Sequence, residues 1–354
     1  MRKRIFIGQF VSEEESYLDK RISQAGNNYQ LKFIDIVNPF LSLSLVPAFF
    51  NRSKIVNDKP KVKKLTSYSN NKGVMILENN FKAFKLIKKE KPDSIWCYNI
   101  TTSNFVVCVL LRYFTSYKLY FVVADYYNTN TWLQKMFQII LSVSAGSIVL
   151  NSNISKELNC KTKVLPGILK DIAIELNISH QNNCILFSGS LGKTTGFELA
   201  LKFANSNPKY TLYITGVPYQ YTKQEFQDLL DLNKSKNIIY KGQLSYTEYI
   251  VLLNKCTYAF SLRDPSDLQH DYNFPSKILE YLSKGKIVIS TKVYPEIKSD
   301  FYFKSDSNID SLTKTFNKIN EGVNIDKFRQ DLYDYVKTNF SSKSLNETIL
   351  NLEQ

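Results

Sequence analysis

Residues Tyr272–Thr291 read YNFPSKILEYLSKGKIVIST. Ile278, Leu279 and Leu282 share one face at helical spacing after Pro275, whose fixed φ suits a first helical turn. Gly285 supplies a stop signal. Lys286–Thr291 then forms a β-branched run of the kind that fills a buried parallel strand. The stretch predicts loop, helix and strand, the repeating unit of a parallel sheet.

The start of that helix carries the chemistry. Its unpaired backbone N–H groups, the Ser276 hydroxyl and the Lys277 ammonium together suit a diphosphate. Glu280, one turn further in, offers a carboxylate that can accept two hydrogen bonds from vicinal hydroxyls such as those of a ribose. The same residues equally fit an ordinary solvated helix face.

Working outward, strand and helix signals alternate along the whole chain. In the second half, strands are expected at 185–188, 210–215, 237–240, 258–262 and 286–290, with helices at 195–205, 222–233, 245–254 and 275–284. Gly216 and Gly242 each follow a strand, where a backbone can approach a ligand closely. In the first half the expected strands are 4–8, 31–37, 61–68, 94–98, 118–123, 147–150 and 163–165. Helices are expected at 13–25, 80–89, 103–114 and 131–144. The alternation implies sheets covered on both faces.

Two of these elements hold further candidates. Asp125 stands just past the strand at 118–123, where open α/β sheets bind ligands, and the same position suits a helix N-cap. Ser23–Gln30 reads as a helix end capped by Gly26 and followed by a polar turn.

Pro166-Gly167 breaks the chain before an Asn-rich stretch. The expected organisation is a first domain over 1–167, a linker over 168–183, a second domain over 184–325 and a helical tail over 326–354. The apolar residues of 38–59 have no clean period.

The block FPSKILEYLSKGKIVIST resembles the nucleotide-sugar-binding motif of family 4-like glycosyltransferases of the GT-B fold, of the bacterial capsule, exopolysaccharide or O-antigen type. CILFSGSLGKTTG, residues 184–196, is similar to the strand and glycine loop that open the donor domain of that family. AFSLR, residues 259–263, resembles the strand leading to its arginine. The resemblance covers roughly 184–300.

It implies two Rossmann-like domains facing each other across a cleft, and a hexosyltransferase that needs no metal or other cofactor. The donor, a nucleotide-diphosphate sugar, would meet Gly189, Ser190, Lys193, Gly216, Gly242, Phe274, Pro275, Ser276 and Glu280. Arg263 and Lys277 would stabilise the leaving diphosphate, and Asp125 would contact the transferred sugar. Gly26, Asn27 and Asn28 are the candidates on the acceptor side, and the tail would pack back across the first domain. Anomeric configuration would be retained.

The chain departs from the family at three places. Ser190 and Thr195 stand where the glycine loop carries basic residues, and Tyr272, with Asp271 before it, stands where the first of two paired glutamates is expected. Lys193, Arg263 and Lys277 are the cations left to replace the missing pair.

Composition narrows the setting. Residues 1–170 hold 25 Lys and Arg against 11 Asp and Glu, a net +14, whereas 171–354 hold 21 of each. A one-domain excess implies an anionic partner, and the lysines gather at 59–64 and 82–91. Lys82, Lys85 and Lys89 share a helix face beside Phe81, Phe84 and Ile87. No nucleic-acid recognition motif accompanies them.

Five scattered cysteines and two histidines (one of them His270) build no metal site and fit a reducing compartment. The N-terminus lacks the pattern of a signal peptide, and no apolar run reaches the length of a spanning helix. The expectation is a cytoplasmic enzyme on the inner face of the plasma membrane. It would move sugar from a nucleotide donor to a lipid-linked glycan in surface polysaccharide synthesis. A nucleotide-sugar epimerase on the same fold and a non-catalytic GT-B partner subunit are the alternatives.

Overall fold

The computed structural model describes residues 2–12, 15–16, 23–45, 61–65, 67, 69–126, 131–169, 172 and 181–354. The helix expected at 13–25, the apolar stretch 38–59 and the linker 168–183 lie partly outside these residues. The chain divides into two units. The first is Met1–Lys170, Tyr272–Phe274 and Ser342–Gln354, and the second is Asp171–Asp271 and Pro275–Ser341.

In the first unit, β1 (Arg4–Gly8), β2 (Leu41–Leu45), β3 (Val62–Leu65), β4 (Ser94–Tyr98), β5 (Lys118–Val123), β6 (Gly146–Val149) and β7 (Thr162–Val164) form one sheet. Its order is β3-β2-β1-β4-β5-β6-β7, and every pairing is parallel. The strand order reverses between β1 and β4, so the crevice at their carboxyl ends is where such a sheet takes a ligand. The helices are α1 (Gln24–Val37), α2 (Lys72–Glu90), α3 (Phe105–Phe114), α4 (Trp132–Ser142) and α5 (Ser152–Glu157).

Residues 31–37 were expected as a strand, and they form the second half of α1 instead. LKFIDIV alternates well enough for a strand, but its buried members Phe33 and Ile34 continue the spacing set by Tyr29 and Gln30, and that period is helical. The second strand is LSLSL at 41–45, buried on both faces. Ser23 caps α1 by accepting the Gly26 N–H at 3.2 Å, so 23–30 begins a helix rather than ending one. The helix expected at 80–89 starts two turns earlier, where Asn71 caps it.

The C-terminal helix Ser342–Glu353 belongs to this unit and is anchored by its last residue. Glu353 is buried and accepts from Arg4 Nη2 at 2.8 Å, Ser94 Oγ at 2.8 Å and Trp96 Nε1 at 2.9 Å. Burial alone would raise its pKa. The Arg4, Trp96 and Ser94 bonds outweigh burial and draw it down to about 2.

The second unit repeats the plan with β8 (Gln181–Leu191), β9 (Thr211–Pro218), β10 (Ile238–Tyr240), β11 (Cys256–Ser261), β12 (Ile287–Ser290) and β13 (Tyr302–Lys304). The order β10-β9-β8-β11-β12-β13 is again parallel throughout, with the reversal between β8 and β11. Its helices are α6 (Phe197–Ser206), α7 (Lys223–Leu232), α8 (Tyr246–Lys255), α9 (Ser276–Ser283), α10 (Ile309–Gly322) and α11 (Ile325–Asn339), and Ser342–Glu353 is then α12.

Thr222 and Ser245 close reciprocal capping boxes with Glu225 and Glu248, which fixes where α7 and α8 begin. Phe203, Tyr210, Tyr258, Phe260 and Phe316 pack, mostly edge-on or tilted, as an aromatic cluster in the core of this unit. Burying each contributes about 1.5–3 kcal/mol.

Candidate functional site

All the donor-side candidates except Phe274 lie in the second unit, on its strands and helices or in the loops that follow its strands. Gly189 and Ser190 end β8, Gly216 lies near the end of β9, and Gly242 follows β10. Arg263 follows β11, and α9 carries Ser276, Lys277 and Glu280. Phe274 is buried and belongs to the first unit, while Pro275 caps α9 in the second.

The two strand glycines do different work. Gly216 pairs with Gly189, and a Cβ on Gly216 would stand 1.7 Å from the Gly189 carbonyl oxygen. Only glycine lets β8 and β9 run that close. A Cβ on Gly189 would meet nothing within 4 Å, so its backbone opens onto space a ligand can enter. The Gly242 carbonyl accepts from Gly216 N at 2.9 Å and Thr215 Oγ1 at 2.7 Å, which ties the two loops together.

The 192–195 loop closes on itself. Thr195 Oγ1 accepts from Gly192 N at 2.9 Å and donates to Gly192 O at 2.8 Å. The residue standing in a basic position of the family pattern therefore shapes the loop. Lys193 is exposed, and its ammonium lies 5.5 Å from the centre of the Tyr221 ring.

A carboxylate and two neighbours organise α9. Glu280 Oε2 accepts from the Tyr249 hydroxyl at 3.0 Å and from Lys277 Nζ at 2.9 Å. Lys277 Nζ also lies 4.0 Å from the centre of the Tyr249 ring. Burial holds the Tyr249 phenol well above its ordinary pKa, so it stays a donor. Tyr281 and Ser188 share a 2.7 Å bond that fastens α9 to β8. Ser276 is exposed, and no side chain caps the first turn, which leaves that end available to an anion.

His270, which the sequence did not single out for a role, joins Arg263. Arg263 Nη1 lies 3.4 Å from His270 Nδ1, and His270 Nε2 lies 3.3 Å from the Thr194 carbonyl. Burial, and then the charge of Arg263, depress the His270 pKa. The ring is therefore neutral at pH 7, with Nε2–H donating to Thr194 and Nδ1 accepting from the guanidinium. Arg263 is itself desolvated, which lowers its pKa but leaves it charged. A histidine seven residues after an arginine carries no recognisable spacing, so only the fold reveals the pair.

Asp271 is ion-paired to Lys292 at 2.5 Å. Tyr272 belongs to the first unit, where its hydroxyl donates to Glu157 at 3.1 Å and its ring meets Tyr126 at 5.6 Å.

On the first unit, Asp125 follows β5, and Asp125 Oδ2 accepts from Asn99 Nδ2 at 3.1 Å. Asn99 stands in the left-handed region and also caps the Ala124 N–H at 2.7 Å. Surrounding protein pushes the Asp125 carboxyl upward against the lowering effect of that bond, while solvent still reaches the side chain.

Gly26, Asn27 and Asn28 form the first turn of α1. Asn27 is buried, accepting from Val11 N at 2.9 Å and donating to Val11 O at 3.2 Å, so its amide is spent on holding the loop after β1. Asn28 stays half-buried. Among the described residues no cluster of His, Cys, Asp and Glu gathers as a metal site.

Residues 170–338 match the family described as glycosyl transferases group 1. No curated protein matches the chain. HepE from Anabaena, solved in complex with UDP, is similar over 99% of this chain and 98% of its own, with a TM-score of 0.69 at 13% identity. Sucrose-phosphate synthase from Thermosynechococcus elongatus gives 0.71 at 12% identity over the same shares. A UDP-N-acetylglucosamine 2-epimerase described as putative, from Listeria monocytogenes, gives 0.57 at 14% identity over 99% of this chain and 95% of its own. Residues 170–338 are thus similar to glycosyl transferases group 1, and the chain has the GT-B fold.

Proposed function

We propose that this chain transfers a hexose from a nucleotide-diphosphate donor to a lipid-linked glycan, without a metal and with retention of configuration, in the synthesis of surface polysaccharide. The observation that carries the reading is Glu280, held by Tyr249 and Lys277 one turn inside a helix whose amino end is open to an anion. Ribose hydroxyls at Glu280 place the diphosphate over the first turn of α9, within reach of Ser276 and Lys277. Arg263 supplies further positive charge, since Ser190 and Thr195 bring none.

Catalysis then rests on positioning the donor and on stabilising charge that grows on the leaving β-phosphate. Asp125, solvent-accessible at the carboxyl edge of the first sheet, is the proposed contact to the sugar. The loop that Asn27 holds is proposed to serve the acceptor. The lipid-linked acceptor and a place at an anionic membrane are drawn from the basic first half of the chain.

A second reading, nucleotide-sugar epimerisation, is favoured by the likeness to the Listeria protein. Incubation with a panel of nucleotide sugars, beginning with uridine donors, separates the two. Release of nucleoside diphosphate supports transfer, an epimerised nucleotide sugar supports the alternative, and binding without turnover points to a non-catalytic subunit.

A further inference from the structure

From three neighbouring helices of the first unit, we infer that α2, α3 and α4 form a single face that inserts into an anionic lipid surface. The helices pack side by side. Asn80 on α2 donates to the Ser103 carbonyl and accepts from Val107 N at 2.8 Å, while Phe105 of α3 and Phe137 of α4 meet at 5.4 Å. All three bury their inner residues in one core with β1, β2, β4 and β5. Their outer sides therefore face away from the sheet together.

Those outer sides are apolar where solvent should favour polar residues. On α2, Val74, Leu77 and Phe81 are exposed at spacings of three and four, and the same stripe continues as Lys85 and Lys88. At the end of α3, Tyr113 is 60% exposed and Phe114 70%. On α4, Trp132 is 73% exposed, with Ile139 and Val143 on the same side. Exposed apolar residues repeated along three adjacent helices mark an interaction surface.

Charge selects the partner. The three helices carry seven basic residues against two acidic ones. Basic residues beside exposed Trp, Phe and Leu are the composition of a helix surface that lies in the interface of an anionic bilayer. The lysines at 61–64 contribute less, because Lys64 is buried against Glu15 at 2.8 Å and Lys61 bonds Asn38 at 3.0 Å. Ile87 is buried in the core, so insertion falls to Phe81 and its neighbours. Among the described residues no helix is long and apolar enough to cross a membrane, and attachment by this face needs none.

The inference deepens the proposed lipid-linked acceptor and rests on that reading for its purpose. Vesicle binding is measured without donor, so its failure and the failure of sugar transfer are read separately.

The chain carries its own reporter. It has two tryptophans, Trp96 being 1% exposed and Trp132 73%. The full chain is mixed with vesicles of phosphatidylglycerol and phosphatidylcholine, or of phosphatidylcholine alone. With the anionic vesicles Trp132 emission is expected to shift to the blue and to be quenched by brominated acyl chains, and Trp132→Tyr removes the signal while leaving sedimentation with vesicles. Reversing Lys85, Lys88 and Lys89 to Glu is expected to weaken partition by about ten-fold or more.

Phe81→Ser with Phe114→Ser, checked for folding by circular dichroism, is expected to weaken it as well, which a purely ionic contact would not show. Equal binding to neutral vesicles, an unshifted Trp132, or indifference to the serine pair would each overturn the inference. A blue shift that grows with protein concentration in the absence of vesicles would assign the face to a second copy instead.

Discussion

The Tyr249 hydroxyl donates to Glu280 Oε2 at 3.0 Å, and Lys277 Nζ meets the same oxygen at 2.9 Å. This oxygen is held from two sides before any ligand arrives, so the carboxylate is already oriented. Glu280→Gln is expected to weaken nucleoside diphosphate binding by about 1–3 kcal/mol, the range for hydrogen bonds to a charged group. Tyr249→Phe removes one neutral donor and should cost about 0.5–1.5 kcal/mol. Calorimetry on both folded variants checks the order, and equal affinities in all three proteins would remove Glu280 from the site.

Arg263 and His270 are expected to act as a pair. Arg263→Ala should lower turnover by about 2–4 kcal/mol in transition-state terms, comparable with losing one oxyanion donor. His270→Ala removes one partner of the guanidinium and should lower turnover less, with little change in the Michaelis constant. Lys277→Ala should resemble Arg263→Ala, and Lys193→Ala should cost less because its ammonium leans on Tyr221. Lys284, at the far end of α9, serves as the control; if Arg263→Ala and Lys277→Ala both match it, the diphosphate lies elsewhere.

Gly216 and Gly189 should respond differently to alanine. A Cβ on Gly216 collides with the Gly189 carbonyl, so Gly216→Ala is expected to lose soluble, folded protein. Gly189→Ala has open space but a φ of 126°, which costs about 1–3 kcal/mol of backbone strain. It should fold with a lower melting temperature and weakened nucleotide affinity. Unchanged affinity in folded Gly189→Ala would mean that no ligand approaches this backbone.

Glu353 sets a pH dependence on the first unit. Its folded pKa lies near about 2 against an ordinary 4.5, a depression that corresponds to about 3 kcal/mol. A depressed carboxyl pKa stabilises the folded state above the unfolded value, and this contribution fades as pH falls from about 4.5 toward about 2. Trp96 donates to this carboxylate, so its emission reports the unit directly. Wild type and Glu353→Gln should differ most at neutral pH and converge in acid, and a constant difference would show that the charge of Glu353 is not what stabilises.

The loop, helix and strand at 272–291 could be read in advance because proline, periodic apolar residues and glycine all act locally there. LKFIDIV at 31–37 misled because seven residues with five apolar ones satisfy both periods, and only its packing with Tyr29 and Gln30 decides. His270 and Tyr249 were invisible as site residues because each meets its partner through the fold. Tyr249 lies 31 residues from Glu280, and Arg4 lies 349 from Glu353. Asn27 was legible as polar, but its complete use by the Val11 backbone was not.

The central claim is that this chain breaks the bond between a sugar and a nucleoside diphosphate. The most direct measurement is the release of nucleoside diphosphate from a panel of nucleotide sugars, followed by chromatography for wild type, Glu280→Gln and Arg263→Ala. The expected result is release from one donor, slow with water and faster with a lipid-linked glycan, and reduced in both variants. No release from any donor with a folded protein that binds nucleotide, or an epimerised donor as the product, would contradict it.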